Sequence, residues 1–147
     1  MPLAPVDRAR KIELLAHMSL FSTASQRELA QVAALTVPAE LRAGTVLTRQ
    51  GTSGGLAYVI AEGRAEVVRG GKRLAVLGPG DVVGELSLLD GEPRSATVNA
   101  MTDMEVLQIS SGDLQRLLRK APSVRRKLLE ALSERVREAD QLPTGRL

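Results

Sequence analysis

Glycine divides the middle of this chain into pieces too short to be helices. Thr45-Val46-Leu47 is short and rich in β-formers, and Gly51-Thr52-Ser53-Gly54-Gly55 follows as a turn. Leu56 to Ile60 and Ala65 to Val68 are strand-like and are interrupted at Gly63, where a tight turn needs a residue without Cβ. Gly70-Gly71 is a two-residue hairpin signal, Leu74 to Leu77 is the returning strand, and Gly78-Pro79-Gly80-Asp81 turns the chain again. Ser95 to Val98 and Val106 to Ile109 complete the set. Short strands at close spacing, each bounded by a turn, predict a sandwich or jelly roll.

The flanks have a different period. Ile12, Leu14, Leu15 and Met18 form an apolar stripe, and Leu29, Val32, Ala33 and Leu35 recur at helical spacing. Ser25 with Glu28 three residues later is a capping box that starts the second of these helices, and Pro38 is expected to end it. Beyond the strands, Asp113 to Lys120 reads as a helix and Pro122 as a break. Ser123 to about Asp140 reads as a longer helix with Leu128, Leu129, Leu132 and Val136 on its apolar side. The expectation is one domain over residues 1–147, with a helical part at 12–41, a β-roll at 42–110 and C-terminal helices at 112–140.

Composition removes several functions. The chain has no cysteine and one histidine, His17, so thiolate metal sites and Cys/His or Ser/His nucleophiles have no material. His17 lies in a helical pattern and is read as structural or surface. An enzyme is not expected, nor is a cofactor. No run of about 18 apolar residues could span a membrane, and the first residues lack the apolar core of a secretory signal. A cytoplasmic protein is expected. Charge is uneven: residues 1–111 hold 11 basic and 12 acidic residues, whereas residues 112–147 hold 9 and 5. A basic C-terminal helix is ordinarily a solvated face. Phe21 and Tyr58 are the only aromatic residues, too few for a platform that stacks single-stranded bases.

Residues 84–96, GELSLLDGEPRSA, carry the chemistry. Gly84 permits close backbone approach, and the N–H groups of Glu85, Leu86 and Ser87 at the start of a helical turn are donors without intrahelical partners, suited to an anion. Arg94 returns on the next strand, and its guanidinium pairs with phosphate as a fork. Glu85 would repel a phosphate, so it needs donors of another kind, such as sugar hydroxyls. Pro93 fixes the entry to the strand. The plainer reading is that Glu85 and Arg94 form a loop ion pair.

The stretch resembles the phosphate-binding cassette of cyclic nucleotide-binding domains. Val83-Gly84-Glu85-Leu86-Ser87-Leu88 and Pro93-Arg94-Ser95-Ala96-Thr97-Val98 match its two halves. Leu20-Phe21-Ser22, the glycines at 44, 51, 63 and 80, and Tyr58-Val59-Ile60-Ala61-Glu62-Gly63 extend the likeness to roughly residues 12–140. The resemblance implies an α+β fold, a β-roll or jelly roll of about eight strands flanked by N-terminal helices and a C-terminal helical lid. It implies that Glu85 accepts from the ribose 2′-hydroxyl and that Arg94 pairs with the cyclic phosphate. The backbone from Gly84 to Ser87 and at Ala96 would add donors, and Ser95 would donate to phosphate or to a guanine amino group. Val83 replaces the usual aromatic before Gly84. Thr52 stands where an acid is frequent and is read as lying outside the pocket. Candidate lid residues over the base are Arg125, Leu128, Leu129 and Leu132, for which core packing or solvated charge is the plainer role.

The function implied is a stand-alone regulatory sensor that binds a cyclic nucleotide and signals by repositioning its C-terminal helix to an unidentified effector protein. cAMP is favoured over cGMP, because an aliphatic lid suits adenine and no guanine reader is evident. The alternatives are an interaction module of the same fold that binds no nucleotide, and a transcription regulator acting through a partner. Direct DNA binding is not expected, since about seven residues after Asp140 leave no room for a recognition helix. Leu129, Leu132, Val136 and Ala139 form a short seam that suits either a homodimer or packing on the roll. Arg94→Ala is expected to remove most cyclic nucleotide affinity and leave the fold intact.

Overall fold

A computed structural model describes residues 7–17, 21–52, 55–84, 93–94, 96–127 and 129–130. Helices α1 (Arg8–Ala16) and α2 (Gln26–Leu35) precede eight strands: β1 (Val37–Leu41), β2 (Val46–Thr48), β3 (Leu56–Glu62), β4 (Ala65–Arg69), β5 (Lys72–Leu77), β6 (Val82–Val83), β7 (Thr97–Ala100) and β8 (Met104–Ser110). Helix α3 (Ser111–Lys120) and a helical segment at 122–127 follow. The strands form two antiparallel sheets in the orders β1-β8-β3-β6 and β2-β7-β4-β5.

Strand alternation produces two cores from one sheet. One face of β3 and β8 presents Ala57, Val59, Ala61, Leu107 and Ile109 to the helices, where Leu15, Phe21, Leu29, Val32, Leu114, Leu117 and Val124 are buried. The other face presents Ile60, Met104 and Val106 to the roll interior, where they meet Leu47, Ala65, Val83, Val98 and Ala100 of the second sheet and β6. The α+β fold with a roll of about eight strands, expected from the turn spacing, the helical flanks and the family resemblance together, is the observed fold.

Some boundaries differ from the sequence reading. Residues 37–41 are not part of the helical region but form β1, an edge strand paired only with β8. Pro38 is tolerated there because an edge strand needs no donor on its outer side. Helix α2 ends before it, at Leu35, with Thr36 already extended. The two-residue strand β6 was too short to show a period, and β7 begins at Thr97 rather than Ser95. Pro122 opens a helical segment, where its missing N–H is harmless. The anticipated helix beyond residue 130, with Val136, lies outside the described residues, as do Met18 and Leu20. His17 is exposed at the end of α1, with its ring Nδ1 2.8 Å from the Glu13 carbonyl oxygen.

The capping box forms as expected: Glu28 N donates to Ser25 Oγ (3.1 Å) and Ser25 N donates to Glu28 Oε1 (3.0 Å). The same carboxylate also accepts from Ser123 Oγ at 2.7 and 2.8 Å, which ties the 122–127 segment to α2. The Ser25 backbone N–H, with the Ser123 hydroxyl second, holds the Glu28 carboxyl below its ordinary range.

On the helix-facing side of the first sheet, Glu105 stands in register with Glu40 on β1 and Glu62 on β3. Arg10 of α1 bonds Glu62 at 2.7 Å, while Glu105 is 2% exposed and its Oε2 has no hydrogen-bond partner among the described residues. Burial, then the charges of Glu40 and Glu62, push the Glu105 carboxyl up, against a smaller opposing effect of Arg10. A raised folded-state pKa means the native chain holds a proton that the unfolded chain has released. Stability therefore falls as pH rises from the unfolded value of 4.5 through the folded one. Glu105→Gln, whose amide can donate to its carboxylate neighbours, is expected to stabilise the fold at pH 7 by about 1 kcal/mol, or ~3 °C in Tm. Thermal melts across mildly acidic to neutral pH check this, with the variant losing less stability than the parent as pH rises.

Candidate functional site

The site begins where β6 stops. Gly84 has φ +84°, a left-handed conformation that side chains rarely adopt. Its carbonyl accepts from Arg94 Nη1 at 2.9 Å, and the carbonyl of Leu56, the first residue of β3, accepts from Arg94 Nη2 at 2.6 Å. Arg94 is 6% exposed, so its guanidinium is a buried cation joining the ends of two strands. A Cβ at residue 84 would fall on Arg94 Nη1 and 3.3 Å from the Leu56 oxygen. Glycine and arginine therefore fit as a pair: the arginine occupies the volume that any other residue at 84 would fill.

The turn after β2 is stitched to the same arginine. Arg94 N donates to the Thr52 carbonyl (2.8 Å) and Gly51 N to the Arg94 carbonyl (2.9 Å). Thr52 Oγ1 donates to the Arg49 carbonyl (2.7 Å), and Gln50 N to Thr97 Oγ1 (2.9 Å). Thr48 Oγ1 donates to the carbonyl of Ala96, itself buried (3.1 Å). These bonds shape a cavity of about 280 Å³ lined by Val46, Leu47, Thr48, Arg49, Thr52, Gly55, Leu56, Tyr58 and Arg94. Its described lining contains two arginines and no carboxylate.

Of the residues singled out from sequence, Gly84 and Arg94 are in direct contact and Ala96 lies beside Thr48. Glu85, Leu86, Ser87 and Ser95 lie outside the described residues, as do Leu128 and Leu132. Arg125 and Leu129 are exposed and do not line the cavity. At 57% exposure Leu129 is not a core residue either. Thr52, read as outside the pocket, lines it, because the paired backbone bonds bring its turn to Arg94. The expectation that Arg94→Ala leaves the fold intact also changes, since truncation would strip a donor from two main-chain carbonyls. Sequence reasoning did not find Arg49, Thr48 or Tyr58 in the lining. They come from two strands, β2 and β3, and the turn between them, more than 30 residues before Arg94, and no local spacing links them.

Among the described residues no group of His, Asp or Glu is placed to hold a metal ion. No described helix is long and apolar enough to cross a membrane. Residues 38–121 match the family model for the cyclic nucleotide-binding domain. The chain is 40% identical over 102 residues to the cyclic AMP receptor protein of Thermus thermophilus, covering 66% of this chain and 47% of that one. It is 32% identical over 129 residues to a cyclic nucleotide-gated potassium channel of Rhizobium etli, covering 88% and 36%. It thus spans less than half the length of these two relatives. The N-terminal domain of a transcriptional regulator from Streptomyces coelicolor superposes with a TM-score of 0.73 at 34% identity, over 87% of this chain and 93% of that one.

Proposed function

The chain belongs to the cyclic nucleotide-binding domain family, and from that premise we propose that it is a regulatory sensor that binds cAMP in preference to cGMP. The observation that carries this reading is the buried Arg94 guanidinium, held against Gly84, on a cavity whose charged residues, among those described, are both arginines. In this proposal Arg94 meets the cyclic phosphate, and the backbone from Gly84 to Ser87 and at Ala96 adds donors. Glu85 accepts from the ribose 2′-hydroxyl, a role that needs an ionised acceptor next to a sugar. Ser95 donates to the phosphate. Adenine is preferred because aliphatic side chains cover it and none of them reads the guanine amino group.

Signalling follows from differential affinity, since a ligand moves an equilibrium only by binding one state better. The moving part is the helix from Ser123 to about Asp140, and the receiver is an effector protein in the cytoplasm. Val124 is buried against the helical core and Ser123 is held by Glu28, whereas Arg125 and Leu129 on the same segment are exposed. That segment therefore has an anchored start and uncovered side chains for a base. Covering ~50 Å² of base surface would contribute about 1 kcal/mol. Hydrogen exchange over residues 123–140 should slow on saturation with cAMP while β3 and β8 stay unchanged. Equal exchange with and without ligand would remove this helix as the signalling element.

A further inference from the structure

We propose that Arg49 is a second ligand-binding cation, which meets the nucleotide's anion from the solvent side while Arg94 holds it from within. The proposal rests on the cyclic nucleotide reading and names a residue that the cassette does not contain. Arg49 lines the same cavity as Arg94. Unlike Arg94 it is exposed, and its guanidinium has no ion pair or hydrogen bond among the described residues.

Its backbone is nonetheless fixed. The Arg49 carbonyl accepts both the Thr52 N–H (3.2 Å) and the Thr52 hydroxyl (2.7 Å). The Gly51 and Thr52 peptides exchange bonds with Arg94 at 2.9 and 2.8 Å. The backbone of Arg49 is thus held on the chain segment that flanks Arg94, and the residue lines the cavity while exposed to solvent. Two N–H groups of Arg94 are already given to the Gly84 and Leu56 carbonyls, so a second cation adds donors that the buried one has assigned elsewhere. Arg49 and Arg94 are both cations on the lining of one cavity, so an anion bound there gains from each.

The test is cAMP affinity by calorimetry on the full chain, its Arg49→Gln and Arg49→Lys variants, and Arg64→Gln. Arg64 is an exposed cation outside the cavity lining and controls for overall charge. Arg49→Gln should bind about tenfold more weakly, a difference of ~1.4 kcal/mol. Its affinity should also fall less steeply with added salt than the parent's, because one of two attracting charges is gone. Arg49→Lys should recover part of the loss, and Arg64→Gln should match the parent. A parent chain that binds cAMP with Arg49→Gln within twofold of it overturns the role of Arg49 and leaves the cassette reading standing. An equal loss in Arg64→Gln overturns it as well, by showing that only total charge matters. Failure of the parent chain to bind any cyclic nucleotide overturns the cassette reading and this inference together.

Discussion

Arg94→Lys is expected to bind cAMP about a hundredfold more weakly than the parent chain, a loss of ~2.7 kcal/mol. Lysine keeps the charge, but a single ammonium cannot reproduce a planar fork that bonds the Leu56 and Gly84 carbonyls and a phosphate together. Arg94→Ala should lose at least as much affinity. It should also lower stability by about 2 kcal/mol, because both part-buried carbonyls are left without their donor. Affinity and thermal melts must therefore be measured on the same samples. Arg94→Lys within threefold of the parent in affinity would remove Arg94 from phosphate recognition, whatever its effect on the melt.

Gly84→Ala is expected to damage both properties through a single methyl group. The left-handed conformation alone costs about 1 kcal/mol for a residue with Cβ. The methyl also falls on Arg94 Nη1, so the guanidinium must leave one or both of its carbonyls. Together these should lower stability by ~2–3 kcal/mol and affinity by more than about tenfold. Gly80 supplies the comparison. Its φ is +90°, and a Cβ there would meet nothing within 4 Å. Gly80→Ala should carry the backbone cost and leave affinity unchanged. Equal affinity losses at both positions would mean that the Gly84–Arg94 contact is not what positions the guanidinium.

Much of this fold was legible because its signals are local. The turns at Gly63, Gly70-Gly71 and Gly78 to Asp81 separate β3, β4, β5 and β6 where the sequence placed breaks, and the Ser25–Glu28 capping box marks the start of α2. Strand β1 was not legible, because Pro38 reads as a stop for the preceding helix and its tolerance depends on an edge position that only the sheet order reveals. Strand β6, with two residues, has no period to read. Within the site, Gly84 and Arg94 stood out through their motif and meet in the structure. Arg49 and Thr52 did not, because what brings them to Arg94 is a pair of backbone bonds spanning more than 40 residues of sequence. Such bonds are indifferent to side-chain type and leave no pattern in it. The acidic row of Glu40, Glu105 and Glu62 was hidden for a similar reason, since cross-strand neighbours become neighbours only once register is known.

In the function proposed above, this cavity holds a cyclic nucleotide by its anion. Calorimetric titration of the unmodified chain with cAMP, cGMP and adenosine tests it most directly. Adenosine has the base and ribose of cAMP and no phosphate. Saturable one-to-one binding of cAMP is expected, with weaker binding of cGMP, and with adenosine weaker than cAMP by about a hundredfold, the share assigned to the phosphate contact. Adenosine binding as tightly as cAMP, or no heat of binding from either cyclic nucleotide, would contradict it.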